Sequence, residues 1–163
     1  MSSHGKSIQS SSKSLLLYED KPEYGTVLKL IIFIVPVMLL GASLYLGSSG
    51  ENEGALVLLF EALFVSSIFL FIFPRRYQVH EDHLSIVLGG PLTVRIGFAQ
   101  IKTIEVTNKT ALTVNFATRM TMKYVRIVKK TGLGIAITPK SNESFVENAN
   151  RALHRWQETN HRL

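Results

Sequence analysis

Two long apolar runs separated by eight residues constrain this chain more than any other feature it has. Val27–Leu46 is twenty residues with one charge, Lys29, near its start, and Ala55–Phe73 is nineteen residues with one charge, Glu61. At about 1.5 Å rise per residue, each reaches about 30 Å as a helix, one hydrocarbon thickness. A chain of 163 residues has too little remaining mass to bury two such helices side by side. Hydropathy therefore predicts a transmembrane hairpin over 27–73, with spans at 27–46 and 55–73.

The flanks orient it. Lys21 and Lys29 lie at the start of the first span and Arg75 and Arg76 directly follow the second, whereas the linking Gly47–Gly54 has no Lys or Arg. So short a turn makes the helices antiparallel. The bias in cations predicts a multi-pass protein of the cell membrane with both termini in the cytoplasm and the acidic turn outside. A cleaved leader is not expected, because both the polar segment before the first run and the run itself are too long for one.

Two features inside the hairpin are unusual. Pro36 lies mid-helix, where it frees the carbonyl of Ile32 and invites a kink. An antiparallel alignment that sets Val27 opposite Phe73 puts Ser66 and Ser67 near that carbonyl. Glu61 is the costly residue, since a carboxylate at membrane depth needs protein or water to face. It is either a contact to a partner helix or an ion path, or a protonated carboxyl bonded to Ser43 or a backbone carbonyl. Glu61 and Ser43 are thus the candidate intramembrane polar contact.

The first 26 residues read as a disordered or interfacial tail. Met1–Ser14 holds seven serines and almost nothing apolar, too little to offset the entropy of ordering. Leu15–Tyr18 is a short apolar patch that either lies at the interface or docks on the C-terminal domain. The absence of cysteine removes disulfides, thiolate metal sites and a cysteine nucleophile.

From residue 74 the pattern changes, and 74–163 reads as a cytoplasmic domain. Tyr77 and Val79 alternate with polar neighbours, as do Leu84, Ile86 and Leu88, then Leu92, Val94 and Ile96 beyond the tight turn Gly89-Gly90-Pro91. Ile101, Ile104 and Val106 suggest a further strand, as do Leu112, Val114 and Phe116. Val125 and Ile127 lead through Lys129-Lys130-Thr131-Gly132 into Leu133, Ile135 and Ile137. These make about seven short strands. Then Ser141 offers a helix cap, and Val146, Ala149, Leu153 and Trp156 follow at helical spacing.

Three stretches resemble a known family. Tyr77–Ile86 is similar to its strand, acidic turn and strand opening. Ile96–Ile101 with Ile104 resembles its strand, bend and "I-x-x-I" step. Gly134–Lys140 followed by Phe145 resembles its last strand, Ser/Thr-Pro turn and capping helix. The family is that of small bacterial pleckstrin-homology-like domains of the YyaB-like PH type, which typically follow a pair of transmembrane helices. The resemblance implies a mostly β, α+β PH-like domain of seven antiparallel strands in a partly open barrel, capped by one C-terminal helix. With no catalytic constellation among the residues, a non-catalytic interaction or assembly role without a cofactor is expected.

Charge supplies the candidate surface. From Pro74 onward fourteen Lys and Arg face six Asp and Glu, so the whole positive excess of the chain, +6 overall, sits there. Arg119, Lys123, Arg126, Lys129, Lys130 and Lys140 cluster in the later hairpin and its surroundings. Anionic lipid of the inner leaflet and an acidic protein partner or second copy are the candidate contacts, the alternative being a solvated surface whose charge only sets topology; nucleic acid is not expected, for want of a groove-reading motif. His80 and His83 flank Glu81 and Asp82, but around a turn their side chains are expected to alternate in direction, which disfavours metal. No nucleophile elbow or phosphate loop is present, so no enzyme is expected. The alternative reading is an accessory subunit of a larger membrane complex, such as a transporter, in which the hairpin with Glu61 is the working part.

Overall fold

A computed structural model of the protein describes residues 14–109, 113–119 and 123–160. Along these the order is β1 (Leu16–Asp20), α1 (Thr26–Ser48), α2 (Asn52–Ile72), β2 (Arg76–His80), β3 (His83–Val87), β4 (Thr93–Gly97), a 3₁₀ turn (Phe98–Gln100), β5 (Ile101–Thr107), β6 (Thr113–Phe116), β7 (Tyr124–Lys129), β8 (Gly134–Ile137) and α3 (Asn142–Asn160).

The two apolar runs form the two long helices; α1 overruns its predicted span at both ends, and α2 begins three residues early and stops one short. Gly50, at φ 86°, ends α1. Its amide donates to the Gly47 carbonyl, and Glu51 N–H donates to the Leu46 carbonyl at 3.1 Å, the paired bonds that close a helix on a left-handed glycine. The helices then run antiparallel, with Leu46 beside Gly54 as the expected alignment requires. Only 6% of either apolar window is buried within the molecule. A core helix of a soluble protein would be mostly covered, so the hairpin is compatible with a membrane anchor. Ser66 and Ser67 do not serve Ile32: their hydroxyls donate to the carbonyls of Ala62 and Leu63 in their own helix.

The remainder corrects the expected barrel of seven antiparallel strands. Among the described residues there are eight strands in two four-stranded sheets, ordered β1-β2-β3-β4 and β5-β7-β8-β6. The extra strand is β1, from the segment expected to be a tail; residues 1–13, expected to be disordered, lie outside the described residues. One pair is parallel: β6 lies alongside β8, Thr113 against Gly134 through Phe116 against Ile137. Alternation in a sequence reports which face is buried, not which neighbour a strand takes or in what sense.

Most of the set that period two picks out points inward, whereas Leu92, Val114 and Leu133 are exposed. Tyr77, Val79, Leu84, Ile86 and Ile96 of the first sheet meet Ile104, Val125, Ile127, Ile135 and Ile137 of the second, all 3% exposed or less. Helix α3 lays Phe145, Ala149, Ala152 and Leu153 against them, and Trp156 packs edge-on to Phe98 with ring centroids 6.4 Å apart. Two sheets closed by one C-terminal helix are consistent with the PH-like domain expected from the sequence.

Candidate functional site

The polar contacts that join the hairpin to the sheets gather at one seam. Strand β1 runs into α1, and β2 runs out of α2. The two strands pair antiparallel, Asp20 against Tyr77 and Glu19 against Gln78. The helical hairpin is thus an insertion in a β-ribbon, joined to the sheet at both ends. On the α2 side Pro74 and Arg75 alone separate the helix-ending Phe73 from β2.

Local polar chemistry locks this junction. Residues 21–25 lie along the Thr-Pro turn that follows β8. Pro22 bridges Pro139, Glu23 N–H donates to the Thr138 carbonyl at 3.1 Å, and Lys140 N–H to the Lys21 carbonyl at 2.9 Å. Thr118 and Thr138 are wholly buried. Thr118 Oγ1 donates to the Glu23 carbonyl at 2.7 Å, while Thr138 Oγ1 accepts the Thr118 amide at 2.9 Å. The Gly25 amide donates to the Thr118 carbonyl at 3.0 Å, and Tyr24 closes the other side with its hydroxyl on the Pro74 carbonyl at 2.5 Å. On the far side the β3–β4 turn tucks under the end of α2. A Cβ added to Gly89 would fall onto the Leu70 carbonyl, and one on Gly90 (φ 67°) would meet the Phe71 ring.

The predicted basic cluster is split by this architecture. Arg119 is at the seam, ion-paired with Glu23. Arg126 sits mid-strand with both Nε and a terminal nitrogen on Glu105 Oε1, at 3.0 and 2.5 Å. Lys123 precedes β7 at the anchor end, where its carbonyl accepts from Asn142 Nδ2, and Lys140 is there too. Lys129 and Lys130 are at the other end of β7, beside Ile101 and Gln100. From Tyr124 to Lys129 the strand climbs about 17 Å. Register brings Lys21, Arg75, Arg76, Arg119 and Lys140 to the anchor end instead. Arg75 and Arg76 entered the sequence reading only as topology signals; their place in a basic collar depends on where β1 and the Thr-Pro turn fold.

Within the hairpin Ser43 Oγ donates to the Ala55 carbonyl of the facing helix at 2.7 Å. Glu61 is exposed on the outer surface of α2, so the two are not brought together. The close contact at Ser43 and the wholly buried Ala62 draws the helices together toward their turn. Toward the sheets they part. An apolar cleft of about 730 Å³ opens there, walled by Ile32, Phe33, Pro36, Val37, Ser66, Phe69, Leu70 and Phe73, with Tyr24, Arg75 and Arg76 at its mouth.

At the end of the sheet farthest from the helices, His80 and His83 do not diverge as expected. Their rings stack, centroids 4.4 Å apart and 4° from parallel. Partial burial works against ionisation of Asp82, but the hydrogen bond and electrostatic attraction of His83, 2.6 Å away, outweigh it and hold the carboxyl below its usual range. No group of three His, Asp or Glu that would hold a metal occurs among the described residues.

No curated protein and no solved structure matches the chain. The stretch from the end of α2 through the first half of α3 does find a match: residues 75–150 fit the family model of the bacterial PH domain.

Proposed function

We propose that this protein is a membrane-anchored, non-catalytic interaction module of the bacterial cell membrane, with its PH-like domain held against the cytoplasmic surface. The observation that carries the reading is the insertion of the hairpin between two paired strands. A domain tethered once through a linker samples many orientations. One joined through both β1 and β2 and stitched at Thr118, Thr138 and Gly89 keeps one face toward the bilayer. That face carries the basic collar, in which Arg76 and Arg119 are paired with Glu19 and Glu23; Lys21, Arg75 and Lys140 are left to suit an anionic leaflet at about 1 kcal/mol per cation near the surface. The opposite end, with Lys129, Lys130 and the stacked histidines, is then presented to an acidic protein partner or a second copy.

Topology tests it. Reporter fusions at both ends of the chain are expected to read as cytoplasmic, and the protein is expected to stay in the membrane pellet after alkaline carbonate. An extracytoplasmic signal at either end excludes this arrangement.

The outward position of Glu61 favours a second reading, in which the hairpin is also a subunit contact. A carboxylate on the lipid-facing side of a helix is costly unless another helix or water meets it. Purification in mild detergent with the native Glu61, compared with Glu61→Leu, separates the cases. A stoichiometric membrane partner lost on substitution supports the subunit reading; an unchanged profile removes it.

A further inference from the structure

We propose that the cleft between α1 and α2 is a binding site for one anionic phospholipid, with an acyl chain between the helices and the phosphate on Arg75; this rests on the anchor reading above. The walls are contributed by both helices and are apolar apart from Ser66, whose hydroxyl is already satisfied by the Ala62 carbonyl. At about 730 Å³ the cleft is within the range of small-molecule sites. Nothing acidic lines it. A cleft of this kind facing hydrocarbon fills with a lipid chain rather than water, since water has no polar partners along its walls.

The mouth selects the headgroup. Arg75 is exposed at the rim and its guanidinium has no hydrogen-bonded or ion-paired partner among the described residues. Arg76 is shared with Glu19, 3.3 Å away, and remains 57% exposed. A planar guanidinium with unused donors matches a phosphate in a bidentate way. Tyr24, held by its bond to Pro74 and packed at 6.3 Å on Phe73, forms the wall between headgroup and chain depths. The cleft opens where Arg75 leaves α2, so charge and apolar wall share one entrance. Two guanidinium groups at the mouth and no carboxylate in the lining to meet a choline or ethanolamine cation favour a lipid with a net negative headgroup over a zwitterionic one, and the apolar walls favour a lipid over free phosphate.

The full-length protein, purified in mild detergent, is the material for the test. Dioleoyl phosphatidylglycerol is expected to bind at least tenfold more tightly than dioleoyl phosphatidylcholine by native mass spectrometry. Arg75→Gln is expected to weaken the former about fivefold and the latter less, so that the preference between the two lipids narrows. A phosphatidylglycerol with a photoreactive acyl chain, used on the unaltered protein, is expected to label Ile32–Val37 and Ser66–Phe73. Equal affinity for the two lipids, labelling spread over Phe60 and Leu63 on the outer surface, or displacement by millimolar inorganic phosphate would each overturn the proposal while leaving the anchor intact. Release of the protein by alkaline carbonate would remove the anchor reading and this site together.

Discussion

Tyr77 shows what one residue does at the seam. Its ring is wholly buried between the sheets and α3, edge-on to Phe145 at 6.3 Å, and its hydroxyl donates to the Phe116 carbonyl at 2.9 Å. Burial pushes its phenol well above the ordinary tyrosine range, outweighing the hydrogen bonds from Thr138 and Thr118 that pull it down. The folded state therefore holds this proton more tightly than the unfolded chain does. The associated stability is complete below about pH 10, the unfolded value, and is lost as pH rises through the folded one. Tyr77→Phe is expected to flatten this alkaline loss in a melting series, and to cost about 1 kcal/mol at neutral pH for the missing hydrogen bond. Gly89 is a second such residue. Gly89→Ala places a methyl against the backbone of Leu70, and displacement of the turn is expected to cost about 1–3 kcal/mol. A melting point equal to that of the native protein would mean the turn does not touch α2.

Among the elements, β1 and α3 hold the two sheets and the anchor in one piece. Tyr18 of β1 packs edge-on to Phe145 of α3 at 6.3 Å, and Asp20 accepts the Ser141 amide at 2.9 Å, just before the helix begins. A carboxylate there completes an N-terminus whose own amides lack partners and whose dipole favours negative charge. Asp20→Ala is expected to lower stability by about 1 kcal/mol. At the other end of α3, Trp156 is half-buried on Phe98. Trp156→Ala is expected to cost about 2 kcal/mol, less than the value for a fully buried aromatic. Arg155→Ala, on the exposed side, is expected to stay within about 0.5 kcal/mol. Equal shifts for both would mean the last turns of α3 do not pack.

At the scale of the whole molecule, the separation of its two basic ends decides what each can meet. About 17 Å along β7 is roughly two Debye lengths at physiological salt. On the anchored reading, Lys129 and Lys130 therefore feel little of an anionic leaflet that Lys21, Arg75 and Lys140 feel directly. Amide exchange in nanodiscs checks this. Replacing phosphatidylcholine by phosphatidylglycerol is expected to protect Gly89–Leu92 and Lys140–Ser141 and to leave Lys129–Leu133 unchanged. Protection confined to Lys129–Leu133 would mean that the domain faces the bilayer with its other end.

The hairpin, seven of the eight strands, the capping helix and the resemblance to a bacterial PH domain were legible in the amino acids. Each rests on local periodicity: unbroken apolar runs of helical length, alternation at period two, and a stripe at period 3.6. What tertiary structure alone decided was which segments lie side by side. Leu16–Asp20, Leu-Leu-Tyr-Glu-Asp, has no alternation at period two to announce it as a strand; it becomes one because α1 and α2 bring its end back beside β2, whose edge supplies the hydrogen bonds. The parallel pairing of β6 with β8 and the division of the basic residues between two ends have the same cause, whereas the stacking of His80 on His83 is set locally by the turn between β2 and β3. Charge and hydropathy are properties of single residues and their near neighbours. Proximity between residues as far apart in the chain as Asp20 and Ser141, or Thr118 and Glu23, is set by closure of the chain around a shared core, and no local pattern encodes it.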